Sequence, residues 1–454
     1  MTVSTPPYLT GHMAPVPDET EARDLPVTGV LPPELTGRYF RNGPNPLPGE
    51  DPGHWFGGHG MLHGIRLRDG RARWYRNRWV RTSLLAGTPL LGGDLGVDRR
   101  AVTANTNIVE HHGRLLALVE NGFPHEVTGE LATVGPCDFD GRLTTAMTAH
   151  PKTDPATGEL HFFGYAFRPP YLTYHRLSAD GTRLDSTEIA VKGPTMMHDF
   201  ALTEHHAVFL DLPMVHRPGA RLPFTWDEGY GARLGVMPLD RPGQVRWLET
   251  DPCYVFHVGN AFEDREGTIV LDACRYAAKD ADVMWGGIGP DGAARDRATV
   301  DAAVARLHRW TIDTATGRVT EAPLMERGTE FPTIDDGRTG RANRYLYAVA
   351  SPAGGSARPA ITRYDSGSGD VTAHELPAGV HPGEAVFVPS AAPDRDEGDG
   401  WLLSLTTTGD GKASQLLVLD ATDLAGAPVA AVTLPRGVPA GFHGSWIADR
   451  EDAN

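Results

Sequence analysis

NIVEHHGRLLALVE, Asn107 to Glu120, is the stretch on which the fold turns. Two short runs of apolar and β-prone residues flank His112-Gly113, and a two-residue link with glycine in second place marks a tight hairpin. The same unit recurs along the chain. YLTYHRLSADGTRLDSTEI turns at Ala179-Asp180-Gly181, LHRWTIDTATGRVTEAPL at Ala315 to Gly317, and WLLSLTTTGDGKASQLLVLD at Gly409 to Gly411. Even strand-turn-strand repetition over roughly 400 residues predicts an all-β chain, and a β-propeller in preference to a sandwich. No helix of standard length is expected. VDAAVARLHRW, Val300 to Trp310, reads as one short helix or the start of a strand. KDADVMWGGIGPDGAARDRATVDAA, Lys279 to Ala303, reads as a polar surface insertion.

The composition fits that architecture. The 53 glycines and 37 prolines are spread through the 454 residues and do not gather in a linker, so they read as turn residues of one large closed domain. A net charge of −16 argues against nucleic acid, whose phosphates call for clustered Lys and Arg, and against strong docking to anionic lipid. Three cysteines, Cys137, Cys253 and Cys274, form neither a disulfide framework nor a zinc pattern and suit a reducing compartment. No apolar run approaches the roughly 18 residues that span a bilayer, and the N-terminus lacks a signal-peptide pattern, so a cytoplasmic location is expected. The domain expectation is an extended arm over residues 1–28, a single propeller over 29–447 and a disordered tail over 448–454.

Four histidines share one setting, a strand end among small or apolar neighbours: His150 in TAHPK, His198 in MMHDF, His257 in CYVFHVGN and His443 in GFHGSW. A lone histidine of this kind is more often a satisfied core residue than a ligand. The first three, however, fall about one blade apart, and the last some three blades further on, taking roughly 40 to 60 residues per blade. All four could then point at a propeller axis and form an all-imidazole metal site. Imidazole suits Fe, Zn, Cu and Ni, so the ligands alone do not choose the metal. Glu120, Glu330 and Glu384 each adjoin an apolar strand in a different blade, and suit the carboxylates that accept the second N–H of a ligating imidazole. His54, His59 and His63 lie in the Gly-rich HWFGGHGMLHG, which reads more naturally as tight turns than as a ligand set.

The ordered segments GRYFRNGPNP, HWFGGHGMLHG, NTNIVEHHGRLLALVE, TAHPKTDPATGEL, MMHDFALTEHH, FHVGNAFED, EFPTID, PGEAVFVP and GFHGSW together resemble the carotenoid cleavage oxygenase family, and they cover nearly the whole chain. The resemblance implies a seven-bladed propeller, capped by loops and short helices, with a mononuclear non-haem Fe(II) on its axis. The family's four ligands fall on His150, His198, His257 and His443. Its outer carboxylates fall on Glu120, Glu330 and Glu384, paired as Glu120 with His198, Glu330 with His257 and Glu384 with His443.

That family implies a dioxygenase that cleaves a conjugated C=C bond with O2 into two carbonyl products. No cosubstrate site is evident, so the electrons for O2 come from a small apolar alkene held in a dry tunnel. In the stilbene-cleaving branch a lysine precedes the strand-end glutamate and binds the substrate phenol. Val119 stands there in this chain, which favours a carotenoid or apocarotenoid and leaves stilbenes or phenylpropenoids such as isoeugenol as the alternative. Thr333 stands where many relatives carry arginine. LPFTWDEGYGARLGV, Leu222 to Val236, is the candidate for a weak peripheral membrane contact, with Asp227 and Glu228 counting against it. Two rivals remain: a family member that isomerises or hydrolyses, and a binding propeller with structural histidines.

Overall fold

The computed structural model describes residues 5–90, 97–220, 222–290, 292–350 and 358–449. Asn107–His111 and Arg114–Leu118 pair antiparallel up to the His111–Arg114 rung. His112 and Gly113 both take positive φ, at 47° and 79°, which twists the turn to match its strands; only the glycine does so without steric cost. Repeated around the molecule, such hairpins build a seven-bladed β-propeller.

Blade 2 runs outward from Asn107–His111, blade 3 from Lys152–Thr153 and blade 4 from Phe200–Leu202. Blade 5 runs outward from Cys253–Glu263. Blades 5 and 6 share one long strand, Val319–Thr333. It pairs with Arg306–Asp313 as far as Gly328, then with Tyr345–Ala350 from Thr329. Blade 7 is led by Val380–Pro382 and Val386–Pro389, which both pair with Gly400–Thr408. In blade 1 the inner strand is the C-terminal Gly444–Ala448, paired with Gly37–Pro44.

The chain ends are exchanged between the first and last blades. Val27–Gly29 becomes the outer strand of blade 7 against Ala430–Thr433, and Thr20–Arg23 the outer strand of blade 1 against Arg71–Trp79. Thr20–Arg23 and Val27–Gly29, expected to lie at the end of an arm and the start of the propeller, are thus blade strands. At the other end, Ala448 is in a strand and Asp449 pairs with Arg38 and Arg66; residues 450–454 lie outside the described residues.

The core sits between blades. One apolar cluster joins blades 1 and 2 (Phe40, Leu62, Ile108), another blades 2 and 3 (Leu116, Leu118, Phe162), and a third blades 6 and 7 (Tyr347, Ile361, Leu402). The largest runs from blade 3 through blade 6, and a further one joins blade 7 back to blade 1 through Leu403, Leu416, Tyr39 and Ile65. Each fully buried Leu, Ile or Val in these seams contributes about 1.5–3 kcal/mol.

One expectation is corrected. The stretch read as a polar surface insertion contains a helix, Ala278–Gly287, and a second, Arg297–Ala302. Ala281, Met284, Trp285 and Ile288 recur at helical spacing and face the core, with Trp285 only 4% exposed, while the charges between them face out. The charged face hid a helix in what looked like a polar loop. Val300 to Trp310 is therefore both things at once, a helix end followed by the strand Arg306–Asp313. The segment Leu222 to Val236, the candidate for a weak membrane contact, is largely built into the fold. Phe224–Trp226 pairs with Met214–His216, and Ala232–Pro238 is a blade strand, with Phe224, Leu234 and Val236 all buried. Among the described residues, no helix is long and apolar enough to cross a membrane.

Candidate metal centre

The inner strands bring the four histidines to one point. His150 and His198 lie two residues before the inner strands of blades 3 and 4, and His443 immediately precedes that of blade 1. His257 lies within its strand, at a bulge where Val255–Arg275 and Val258–Ala273 are successive rungs; the extra residue re-aims the side chain. Nitrogens of His150, His257 and His443 lie within 4.8 Å of one another, and the Nε2 atoms of His150 and His198 are 3.0 Å apart. All four residues are buried.

Three of the imidazoles give Nδ1–H to a carboxylate. His198 donates to Glu120 at 2.5 Å, His257 to Glu330 at 2.6 Å and His443 to Glu384 at 2.9 Å. Donation from Nδ1 fixes the tautomer and leaves the Nε2 lone pair facing the common centre. Each carboxylate is itself held. Glu120 accepts from the Tyr165 hydroxyl at 3.0 Å, Glu330 from the Phe331 N–H at 2.8 Å, and Glu384 from the Gly444 N–H at 2.7 Å. His150 is instead packed by the other rings, with centroids 4.6 Å from His198 and His443 and 5.2 Å from His257.

Burial, then the neighbouring imidazoles, push His150 and His257 well below the ordinary histidine range, so both are neutral donors. His198 is also desolvated, but the contact with Glu120 outweighs burial and raises it. Burial carries Glu330 up to about 7. The buried Nε2 of His443 has no hydrogen-bond partner, a costly vacancy for a polar atom unless a cation completes it. Four convergent imidazole nitrogens fit a divalent metal of the Fe, Zn, Cu or Ni type.

Two different environments meet at the centre. On the propeller axis, a cavity of about 880 Å³ touches His150, His257 and His443 and is walled by polar groups including Lys152, Asp199, Asp335, Asp336 and Arg395. Burial beside Asp335 and Glu384 pushes Asp336 up to about 6. Phe387 and Trp446 also line the cavity, but a cluster of Phe56, Phe256, Trp285 and Phe442 gathers apart from it. Phe256 stands edge-on to His198 at 5.1 Å; Phe56 meets Phe442 at 4.9 Å and Trp285 at 5.4 Å. Helix Ala278–Gly287 thus supplies part of an apolar cap.

Among residues singled out in the sequence, His54, His59 and His63 stay apart from the centre. His63 contacts the Tyr75 hydroxyl at 2.9 Å, His59 lies 3.4 Å from Glu50, and His54 accepts from the Phe56 N–H at 3.2 Å. Thr333 donates its hydroxyl to the Ala385 carbonyl at 2.6 Å, tying blade 6 to blade 7 beside Glu384. Met196, Met197 and Phe200 are buried in the large core cluster. Sequence reading missed Tyr165, Asp199, Phe256, Phe331 and Trp285 as neighbours of the centre. Only Trp285 carried a local signal, its helical spacing; Phe331 stacks on His257 at 5.0 Å through a positive φ of 54° that no local pattern announces.

Comparison with known proteins gives concordant results. Residues 13–448 match the family model described as retinal pigment epithelial membrane protein. A carotenoid cleavage oxygenase of Mycobacterium tuberculosis is 39% identical over 97% of this chain and 97% of its own length. A carotenoid 9,10(9',10')-cleavage dioxygenase of Arabidopsis thaliana is 35% identical over 98% of this chain and 90% of its own. Among solved structures, Pseudomonas brassicacearum lignostilbene dioxygenase superposes with a TM-score of 0.86 at 29% identity, covering 99% of this chain and 100% of that one. The cobalt-substituted apocarotenoid oxygenase of Synechocystis gives 0.80 at 29% identity, covering 96% and 97%.

Proposed function

We propose a function from one premise: the chain belongs to the retinal pigment epithelial membrane protein family, that of the carotenoid cleavage oxygenases. It is an alkene-cleaving dioxygenase of a metal-dependent family. Our reading of the site is that Fe(II) is the metal, that His150, His198, His257 and His443 hold it, and that Glu120, Glu330 and Glu384 orient three of them. Convergence of the four imidazoles supports this reading.

The four imidazoles would hold Fe(II), which would supply O2 activation beside an electron-rich double bond, and the overall reaction would leave one oxygen atom in the carbonyl of each fragment. The reaction is balanced by alkene and O2 alone, so the protein needs no general acid. Its side chains have other work. The glutamates hold tautomer and ring angle, and neutral His150 and His257 do not repel the cation. Phe56, Phe256, Phe442 and Trp285 exclude water and offer faces to a conjugated chain.

We take the substrate to be a carotenoid or apocarotenoid, and the observation that carries this is Val119. It is 7% exposed and belongs to the apolar cluster between blades 1 and 2, so the position offers no cation to a phenolate. A stilbene or phenylpropenoid alkene is the second reading, favoured by the full-length superposition on the lignostilbene dioxygenase. Incubating iron-reconstituted protein with apocarotenals, resveratrol and isoeugenol, with products read by mass spectrometry, separates the two. Cleavage of the apocarotenals is expected; turnover of resveratrol or isoeugenol alone would overturn the substrate reading. With labelled O2, both carbonyls are expected to carry label. His198→Ala is expected to lose iron; if it keeps iron and full activity, the ligand assignment is wrong.

A further inference from the structure

The three Glu–His pairs each steady one histidine, yet nothing in them sets the distance between one histidine and the next. One carboxylate does. Asp199 directly follows His198, its side chain is only 2% exposed, and it is a member of no Glu–His pair. Its Oδ1 lies 2.9 Å from the Lys152 Nζ of blade 3, two residues after His150. Its Oδ2 accepts the Val258 N–H of blade 5 at 2.8 Å, one residue after His257. Oδ1 also accepts the local Phe200 N–H at 2.7 Å, which locks the side chain to its own strand.

From this geometry we propose that Asp199 is a positioning residue, a buried staple that sets the mutual spacing of His150, His198 and His257 by joining the inner strands of blades 3, 4 and 5. The inference rests on the metal-site reading above. Elsewhere the blades meet largely through apolar seams, which fix distance loosely because contact is non-directional. The Thr148 hydroxyl, which accepts the His150 N–H at 3.2 Å and donates to the His198 carbonyl at 3.1 Å, ties only two of the three strands. Charge-assisted hydrogen bonds are short and directional, and a buried carboxylate with three donors has little freedom to shift. The attachment at Val258 falls on the bulge that turns His257 inward, where the strand's own ladder is irregular and the backbone most needs an external hold. Lys152 balances the charge of Asp199 at the wall of the axial cavity. Glu384 anchors the fourth ligand to blade 7 alone, through the Gly444 N–H beside His443, and joins it to no other histidine strand.

Asp199→Asn keeps shape but turns an N–H toward one of the donors. Oxygen kept on Lys152 and Phe200 leaves Val258 facing a donor, and blade 5 withdraws with His257. The test is Co(II) binding to metal-free protein, read by chelator competition and by the visible absorption of the bound ion. Asp199→Asn is expected to weaken cobalt binding by about 10–100-fold, the usual effect of losing an outer partner, and to alter the absorption band. Lys152→Met, on a side chain 19% exposed, is expected to weaken it less while still shifting the band. The double variant should match Asp199→Asn, because restoring charge neutrality does not restore the acceptor for Val258. Wild-type affinity in the double variant would overturn the proposal and reduce the pair to charge compensation. So would an unshifted band and unchanged affinity in Lys152→Met, which is informative even if Asp199→Asn does not fold. If wild-type protein binds cobalt while Asp199→Asn is indifferent, this inference alone fails. If wild-type protein takes up none, the metal-site reading fails and this inference with it.

Discussion

At the residue scale, a carboxylate acts here according to what it accepts. Glu120, Glu330 and Glu384 each take one imidazole N–H and one further donor; Glu120 and Glu384 use both oxygens, whereas Glu330 takes the His257 ring and the Phe331 N–H on the same oxygen. Glu263 shows the same device away from the centre. It takes His206 Nδ1 at 3.0 Å, the His205 N–H at 3.1 Å and the Thr203 hydroxyl, closing the turn of the first hairpin of blade 4. Burial alone would raise Glu263, but these donors outweigh it and hold it at about 2. A carboxylate depressed in the folded state adds stability that is complete above its unfolded value of roughly 4.3 and is lost as pH falls toward 2. Glu263→Gln should therefore cost about 1–2 kcal/mol at pH 7, after discounting for partial exposure, and almost nothing near pH 2. Denaturant unfolding of both proteins across that range measures it, and a pH-independent difference would contradict the assignment.

At the element scale, the helix Ala278–Gly287 is where local reading and structure part. Lys279, Asp280 and Asp282 made the stretch look like a solvated loop, whereas Ala281, Met284, Trp285 and Ile288 sit at helical spacing and meet Phe56, Phe224 and Phe256. Trp285 also donates its indole N–H to the Phe224 carbonyl at 3.1 Å, so its removal leaves both a cavity and an unpaired acceptor. Trp285→Ala should lower stability by about 3–5 kcal/mol, read by denaturant unfolding, and Trp285→Phe by less. Admitting water to the cap, it should also lower turnover more than it lowers metal content. The hairpins were the easier elements. Turn chemistry at His112-Gly113, Asp180-Gly181 and Gly411 is local, and the rungs His111–Arg114, Leu177–Leu184 and Thr407–Ser414 fall where those turns place them.

At the scale of the whole molecule, closure depends on both chain ends. Gly444–Ala448 is the inner strand of blade 1 and follows His443 directly, so ring closure and completion of the histidine set are one event. Asp449 then pairs with Arg38 and Arg66 and anchors the strand. A chain ending at His443 keeps all four histidines yet should lose single-step cooperative unfolding and metal binding together. Circular dichroism melting with metal analysis checks this, and retention of stoichiometric metal would show that closure is dispensable. Val27–Gly29 makes the reciprocal join in blade 7, which polar composition alone could not reveal, because an edge strand needs few apolar residues.

The sequence by itself determined the repeating hairpin, hence the propeller, and it carried the four histidines and three glutamates at intervals of whole blades. Periodicity and turn chemistry are local properties, and ordered family motifs add the identity of the seven side chains. Only the tertiary structure decided the rest. The pairing of Glu120 with His198 spans two blades, the staple from Asp199 to Lys152 and Val258 spans three, and the exchange of chain ends joins residues separated by nearly the full chain. Each is a contact between strands whose separation in sequence carries no trace of their separation in space. A propeller makes them neighbours because every inner strand meets the same axis.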